Sequence, residues 1–344
     1  FIKKFDEMVL AANNILIVGH QNPDPDDIGT LISLYNYLTL KYTDKQFTPI
    51  IEDSVRLALN YFNDFNQIKW INSLADVWND SDLVIFVDNS HLDMFTLYHS
   101  EISLDSKPTI CIDHHKHEPE NFRLKYIPSN QASCSQIIYT LFYAKNDSYL
   151  NKQSAENILL GILGDTGSLR FISDKNSDVL IIVKELLDRY ELDLQLLDVK
   201  INSFSKEEIE IINILLANMR TYKLDKLPGL AFSFLNLDIL DKYTIDQIKS
   251  ANDKFKYLFL RKINGFNWGF VITPDSKIRL GIAFRSNKGL PDVKQIAVNL
   301  KGGGHSYTSG ASFELDKNRD IKDSKDACEK LIRLIVEMNI EMAN

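Results

Sequence analysis

Asn14-Ile-Leu-Ile-Val-Gly-His-Gln-Asn-Pro-Asp-Pro-Asp-Asp-Ile-Gly29 is the stretch on which the fold turns. Its aliphatic run, Ile15–Val18, is short and rich in β-branched side chains, the texture of a buried strand. Polar residues follow at once, and from Ile28 to Leu40 apolar side chains return at helical spacing. The order strand, polar loop, helix leaves His20, Asp24 and Asp26 in the loop, just past the carboxyl end of the strand.

Two further runs repeat this texture. Ser81–Asp88 and Pro108–Asp113 are brief apolar segments that end in polar residues, and helical patterns follow over Cys134–Tyr143 and Ala155–Leu163. Strands alternating with helices predict an α/β fold, a parallel sheet covered on both faces. Ligands of such sheets sit beyond the carboxyl ends of the strands, which is where the polar residues fall. From Lys175 to Thr221 the chain reads as charged helices, Val179–Tyr190 and Lys206–Arg220. After Leu227-Pro-Gly229 strands return at Leu230–Leu235, Trp268–Thr273 and Lys277–Arg285, with helices at Ile245–Asn252, Val293–Leu300 and Asp323–Glu337. The expected organisation is a catalytic domain over 1–180, a helical linker over 181–224 and a smaller α/β domain over 225–344.

Composition narrows the function. With 44% hydrophobic and 25% charged residues the chain is globular. A formal net charge of -8 argues against a surface for long duplex nucleic acid, which needs clustered Lys and Arg. A small anion remains a suitable substrate if metals supply positive charge locally. Cys111, Cys134 and Cys328 have no metal-knuckle spacing and read as reduced, buried thiols. No apolar run is long enough to span a bilayer and no signal-peptide pattern opens the sequence, so a cytoplasmic protein is expected.

Five clusters carry the chemistry. The first is His20, Asp24 and Asp26 on a loop stiffened by Pro23 and Pro25; imidazole with carboxylate suits a divalent ion such as manganese, whereas the plainer reading has Asp26 or Asp27 capping the next helix. The second is Asp88-Asn-Ser90, directly after a buried strand, where a turn alone would also favour Asp and Asn. Asp113-His-His115 ends the next strand, and its adjacent histidines point in different directions in extended chain. His117 follows as no more than a surface residue. The fourth, Gly161-Ile-Leu-Gly-Asp-Thr-Gly167, ends a helical run and supplies Asp165; a helix cap is its plainer reading. The fifth is Lys301-Gly-Gly-Gly-His305, whose backbone N–H groups can wrap an anion, preceded by Arg285 and Ser286 at a strand end.

In this order, across nearly the whole chain, the five clusters resemble the DHH phosphoesterases, and the fifth resembles the glycine-rich motif of their DHH-associated C-terminal domain. The resemblance implies two divalent ions: manganese, with magnesium or cobalt as alternatives. It implies His20 and Asp24 on one ion, Asp26, His114 and Asp165 on the other, and Asp88 bridging them. It further implies His115 facing the scissile phosphate, Asp113 orienting its neighbours, and Arg285, Ser286, Gly302, Gly303, Gly304 and His305 holding the nucleotide. The sequence departs from the family pattern at Pro25 and Asp27, which stand for Gly and Ala. It departs again at Asn89 for Thr, at Met94 near an expected Arg, and at Lys301 for a first glycine. None removes an implied ligand.

Among subfamilies, the length and layout resemble enzymes acting on nanoRNA, on 3′-phosphoadenosine 5′-phosphate, or on dinucleotides such as pApA and cyclic di-AMP. The second domain would then grip one end of a short substrate while metals act on the other. A manganese-dependent inorganic pyrophosphatase shares the Asp-His-His arrangement but lacks a Gly-Gly-Gly-His loop. A reading from another class is a non-catalytic nucleotide sensor keeping the fold. A homodimer is the general expectation for an enzyme of this size.

Overall fold

The computed structural model describes residues 1–343 apart from 54–56, 116–117 and 319, so His117 lies outside the described residues. The chain folds as two compact units, Phe1–Ser203 and Phe204–Asn344.

Unit 1 is built on six strands: β1 (Asn14–Gly19), β2 (Gln46–Glu52), β3 (Lys69–Ile71), β4 (Leu83–Val87), β5 (Thr109–Ile112) and β6 (Leu124–Tyr126). They pair in the order β3-β2-β1-β4-β5-β6, all parallel. The helices are α1 (Ile2–Leu10), α2 (Pro25–Lys41), α3 (Leu74–Trp78), α4 (Cys134–Ile138), α5 (Lys152–Asp165), α6 (Val179–Tyr190) and α7 (Leu194–Asn202). Successive strand residues face opposite sides of the sheet. Ile15, Ile17, Ile85 and Ile112 bury against α2, α4 and α5, while Leu16, Val18, Phe86 and Cys111 bury against Trp78, Phe95 and Phe122. With both faces covered, the three central strands read as unbroken apolar runs. The helix expected over Cys134–Tyr143 is helical throughout, but its second half, Tyr139–Tyr143, widens into a π-turn.

The strand order reverses direction between β1 and β4, since β2 and β3 lie on one side and β5 and β6 on the other. Parallel sheets open a crevice at such a point, beyond the carboxyl ends of the two strands. His20 follows β1 and Asp88 follows β4, so these two residues flank it.

Unit 2 holds β7 (Arg220–Tyr222), β8 (Leu230–Phe234), β9 (Gly269–Ser276), β10 (Arg279–Arg285), β11 (Gly303–His305) and β12 (Thr308–Glu314). The order is β11-β12-β10-β9-β8-β7, antiparallel except where β8 meets β9. Its helices are α8 (Lys206–Asn218), α9 (Ile245–Phe255), α10 (Val293–Asn299) and α11 (Ser324–Glu337). Trp268, Phe270 and Phe284 pack with Val293 and Leu331 on one face, and Ala231 and Val271 with Leu215 and Phe255 on the other.

The helices between 181 and 224 divide between the units by what they bury. Leu186 of α6 and Leu197 of α7 join the core of unit 1, whereas Ile211 and Leu215 of α8 join that of unit 2. The helical pattern read through Arg220 stops at Asn218, because Arg220 already lies in β7, paired with Phe232 of β8.

Candidate metal centre

Three of the five clusters meet at the crevice, and a fourth reaches it from α5. Asp24 is the N-cap of α2: its Oδ1 accepts the backbone N–H groups of Asp26 and Asp27 at 2.9 and 3.0 Å. Pro25 at the first helical position suits this start. The cap is therefore Asp24, which frees Asp26 and Asp27 to point elsewhere.

Asp26 is fully buried and spends its carboxylate on the first turn of α4, accepting from Cys134 N–H at 2.5 Å and Ser135 N–H at 2.9 Å. Burial, then the charge of Asp165, pushes its carboxyl up to about 6. Asp88 sits at the end of β4 with φ of 61°, a left-handed backbone that Asp tolerates better than most residues. Its N–H donates to Ile112 O at 2.9 Å, which locks it between β4 and β5. Asp88 is 1% exposed, and burial with the neighbouring Asp26 and Asp24 charges holds its carboxyl well above the usual range.

His114 completes one group. Its Nε2 lies 3.1 Å from Asp165 Oδ2, 3.5 Å from Asp88 Oδ1 and 3.8 Å from Asp26 Oδ2. It is hydrogen-bonded to none of them with proper alignment. Burial alone would lower its pKa, but Asp165 and Asp26 outweigh this and raise it to about 9. His20 belongs to the other side. Its Nδ1 lies 2.7 Å from Gln21 O, which assigns the proton to Nδ1 and turns the Nε2 lone pair toward Asp88 Oδ2 at 3.8 Å. A backbone carbonyl behind a histidine is the usual support of a metal-ligating ring.

Two groups of possible ligand atoms result, each within 4.8 Å: His20, Asp27 and Asp88, and Asp26, His114 and Asp165. Asp88 also groups with His114 and His115. Asp27 Oδ2, Asp88 Oδ1 and His114 Nε2 are buried without hydrogen-bond partners. Orphaned acceptors among like charges are what a pair of divalent cations would satisfy, so this donor set fits them. Asp24 contributes charge nearby while one of its oxygens serves the cap.

Asp113 is buried and its Oδ1 accepts from His114 N–H at 2.7 Å, His115 N–H at 3.1 Å and His115 Nδ1 at 2.8 Å. Burial opposes its ionisation, but the His115 hydrogen bond and charge prevail and lower its pKa to about 2. Asp113 is thus an ionised strut that fixes the His115 ring. Asn89 takes the turn after β4, accepting from Ser90 N–H and His91 N–H. Met94 is exposed, and its carbonyl holds Gln21 N–H at 2.8 Å.

Two glycines let α5 come close. A Cβ on Gly161 would lie 2.0 Å from Ser135 Oγ and 3.0 Å from Asp26 Oδ1, and one on Gly164 would lie 2.6 Å from Pro25 Cβ. Asp165 reaches the site because both positions lack a side chain.

The remaining sequence-predicted residues lie in unit 2. The glycine run, expected as a loop, is instead the strand β11, whose register sets His305 opposite Thr308 and Thr308 opposite Arg285 in one row. Gly302 packs on β12, where a Cβ would meet Gly310 O at 2.1 Å. Gly303 has open space beside it, and Gly304 has φ of 128°. Ser286 donates its N–H to Tyr307 O at 2.9 Å, and its Oγ is buried without a partner. Burial lowers the pKa of both Arg285 and Lys256 against the opposing charge of Asp253, with Arg261 adding to the effect on Arg285 and Arg285 to that on Lys256. Arg261 and Lys256 are basic neighbours that no motif announces, since both lie after α9, far from the glycine run in sequence.

Comparison with known proteins places the chain. A family model described as the DHH family, N-terminal domain, matches residues 14–162. The chain is 28% identical over 323 residues to a probable bifunctional oligoribonuclease and PAP phosphatase NrnA from Streptococcus mutans, covering 91% of this chain and 94% of that one. It is 28% identical over 334 residues to the bifunctional oligoribonuclease and PAP phosphatase NrnA of Bacillus subtilis, covering 92% and 96%. The crystal structure of an exopolyphosphatase-related protein from Bacteroides fragilis shares the fold, with a TM-score of 0.81 at 23% identity over 98% of this chain and 95% of that one. Among the described residues no helix is long and apolar enough to cross a membrane.

Proposed function

We propose, from the match of residues 14–162 to the N-terminal domain of the DHH family, that the chain is a two-metal phosphoesterase that hydrolyses short oligoribonucleotides, 3′-phosphoadenosine 5′-phosphate and dinucleotides such as pApA or cyclic di-AMP. The observation that carries this reading is Asp88, a buried carboxylate with an unpartnered oxygen between the His20 and His114 groups. Two divalent ions held there, manganese for a mixed imidazole and carboxylate set, would supply Lewis acidity that acidifies water and offsets phosphate charge.

The chain's own residues do the rest. Asp88 offers one oxygen to each side. Asp24 contributes the oxygen its helix cap leaves over. Asp113 orients His115 by accepting its Nδ1–H; when the ring carries its second proton, Nε2–H can donate to a phosphate oxygen as negative charge develops. In unit 2, Arg285, Ser286, the Gly302–Gly304 backbone and His305 hold the nucleotide. Buried free thiols at Cys111, Cys134 and Cys328 suit a reducing cytoplasmic setting.

The test is a panel of pApA, cyclic di-AMP, 3′-phosphoadenosine 5′-phosphate, two- to five-residue RNAs and inorganic pyrophosphate, compared by kcat/KM with manganese. The nucleotides should lead. Preference for pyrophosphate would overturn the substrate assignment, and nucleotide binding without turnover under any divalent ion would make the protein a sensor. Arg285→Ala should raise KM for pApA with kcat little changed.

A further inference from the structure

We propose that Asp27 is an additional carboxylate ligand of the metal centre, on the side of His20 and Asp88. The inference rests on the two-metal reading above and adds to it a residue that the motif pattern does not contain. Asp27 is fully buried on the first turn of α2. Capping does not explain it, because Asp24 already serves that helix. Its Oδ1 accepts the His20 N–H at 3.1 Å, a task an uncharged asparagine would perform equally. Its Oδ2 is buried with no partner at all.

That second oxygen needs an explanation. Burial works against its charge, Asp24 and Asp26 add to that and only His20 opposes them, so an oxygen with no donor is unfavourable there. The chain nevertheless makes room for it: a Cβ on Gly19 would stand 2.6 Å from Oδ2. Ligand atoms of Asp27, His20 and Asp88 lie within 4.8 Å of one another, a spread that one divalent ion about 2.0–2.6 Å from each oxygen can span. An added carboxylate shifts the donor set toward hard ions, manganese and magnesium over zinc. Where the family pattern has Ala, this chain places a buried, unpartnered oxygen beside His20 and Asp88.

The experiment is calorimetric titration of metal-free protein with MnCl2, without substrate, on wild type, Asp27→Asn and Asp27→Ala, paired with thermal melts. Wild type should bind two equivalents. Asp27→Asn should keep one affinity and weaken the other at least about 10-fold. Its metal-free form should melt no lower than wild type, because a repulsive charge has been removed. Two manganese affinities within twofold of wild type would overturn the inference, as would a metal-free melting temperature that falls as far as the loaded one. Should the variants fail to fold, a manganese-loaded wild-type crystal decides: Asp27 Oδ2 within about 2.6 Å of an ion supports the assignment, and beyond about 3 Å refutes it. A wild type that binds no manganese would remove the two-metal reading itself, an outcome distinct from the others.

Discussion

Gly161→Ala tests how the second metal group is assembled. An added Cβ would stand 2.0 Å from Ser135 Oγ and 2.8 Å from Ser135 Cβ, against ordinary contacts that begin at 3.4 Å. The hydroxyl can rotate away, but the Ser135 Cβ must retreat by about 0.6 Å, and overpacking of this kind costs about 1–3 kcal/mol. Alanine returns about 1 kcal/mol of helix propensity. The net loss of about 1 kcal/mol predicts a fall of about 2–4 °C in the melting temperature of a unit of this size. Ser135 N–H donates to Asp26 Oδ1 at 2.9 Å, so the carboxylate moves with it. A displacement approaching 1 Å can cost about 100-fold in rate, and a loss of about 10- to 100-fold in kcat/KM is expected. The assay is manganese-dependent hydrolysis of bis-p-nitrophenyl phosphate beside melts of the metal-free protein. Ser135→Gly combined with Gly161→Ala removes the two closest obstructing atoms and leaves only Asp26 Oδ1 at 3.0 Å, so it should restore most of the rate. If Gly161→Ala alone retained activity within threefold of wild type, the claim that α5 fits only through glycine would be refuted.

Other outcomes follow from the same geometry. Asp88→Ala should abolish turnover, by about 1,000-fold or more, while circular dichroism stays native, because both groups lose a ligand at once; a tenfold effect would sink the bridging role. Asp113→Asn should lower kcat about 100- to 10,000-fold with manganese affinity retained, since the amide oxygen can still accept the His114 and His115 N–H groups while the carboxylate charge behind the His115 ring is lost; a matching loss of manganese binding would contradict that. The metal-free protein should lose stability as pH rises. Asp26, near 6 when folded and about 3.9 unfolded, holds its proton more tightly in the fold, so its contribution declines between about pH 4 and 6. His114, near 9 folded and about 6.5 unfolded, contributes fully below about 6.5 and is lost through 9. Melting temperatures of chelator-treated protein that climb between pH 5 and 8.5 would refute both assignments.

The central strands were legible because each is buried on both faces and therefore uniformly apolar. The flanking ones were not. β2 contains Pro49, which argues against a strand wherever the N–H is needed, and β3 and β6 are only three residues each. β11 hid behind its glycines, which read as loop until their pairing with β12 is seen. In the site, His20, Asp26, Asp88, His114 and Asp165 stand at element ends that periodicity locates. The cap was misread in one dimension, where Asp26 or Asp27 was the plainer candidate and Asp24 takes it, because three acids at the helix start compete for cap and crevice. Only the backbone direction at the start of α2 decides which does which. Arg261 and Lys256 were silent for a simpler reason, since single basic residues after a helix carry no pattern.

The spacing of the ligands also has a consequence for synthesis. A chain emerging from the ribosome presents His20, the Asp24 cap and the two acids of α2 early, with nothing to complete them. Asp88 and His114 follow, and Asp165, at the end of α5, comes last. Since α5 is also the helix against which α2 packs, a product arrested before it would lack both the final ligand and the surface that holds the first ones in place. On the proposed two-metal reading, ion capture would therefore be a late event in the life of the nascent chain, and loading would require that unit 1 has been made through α5.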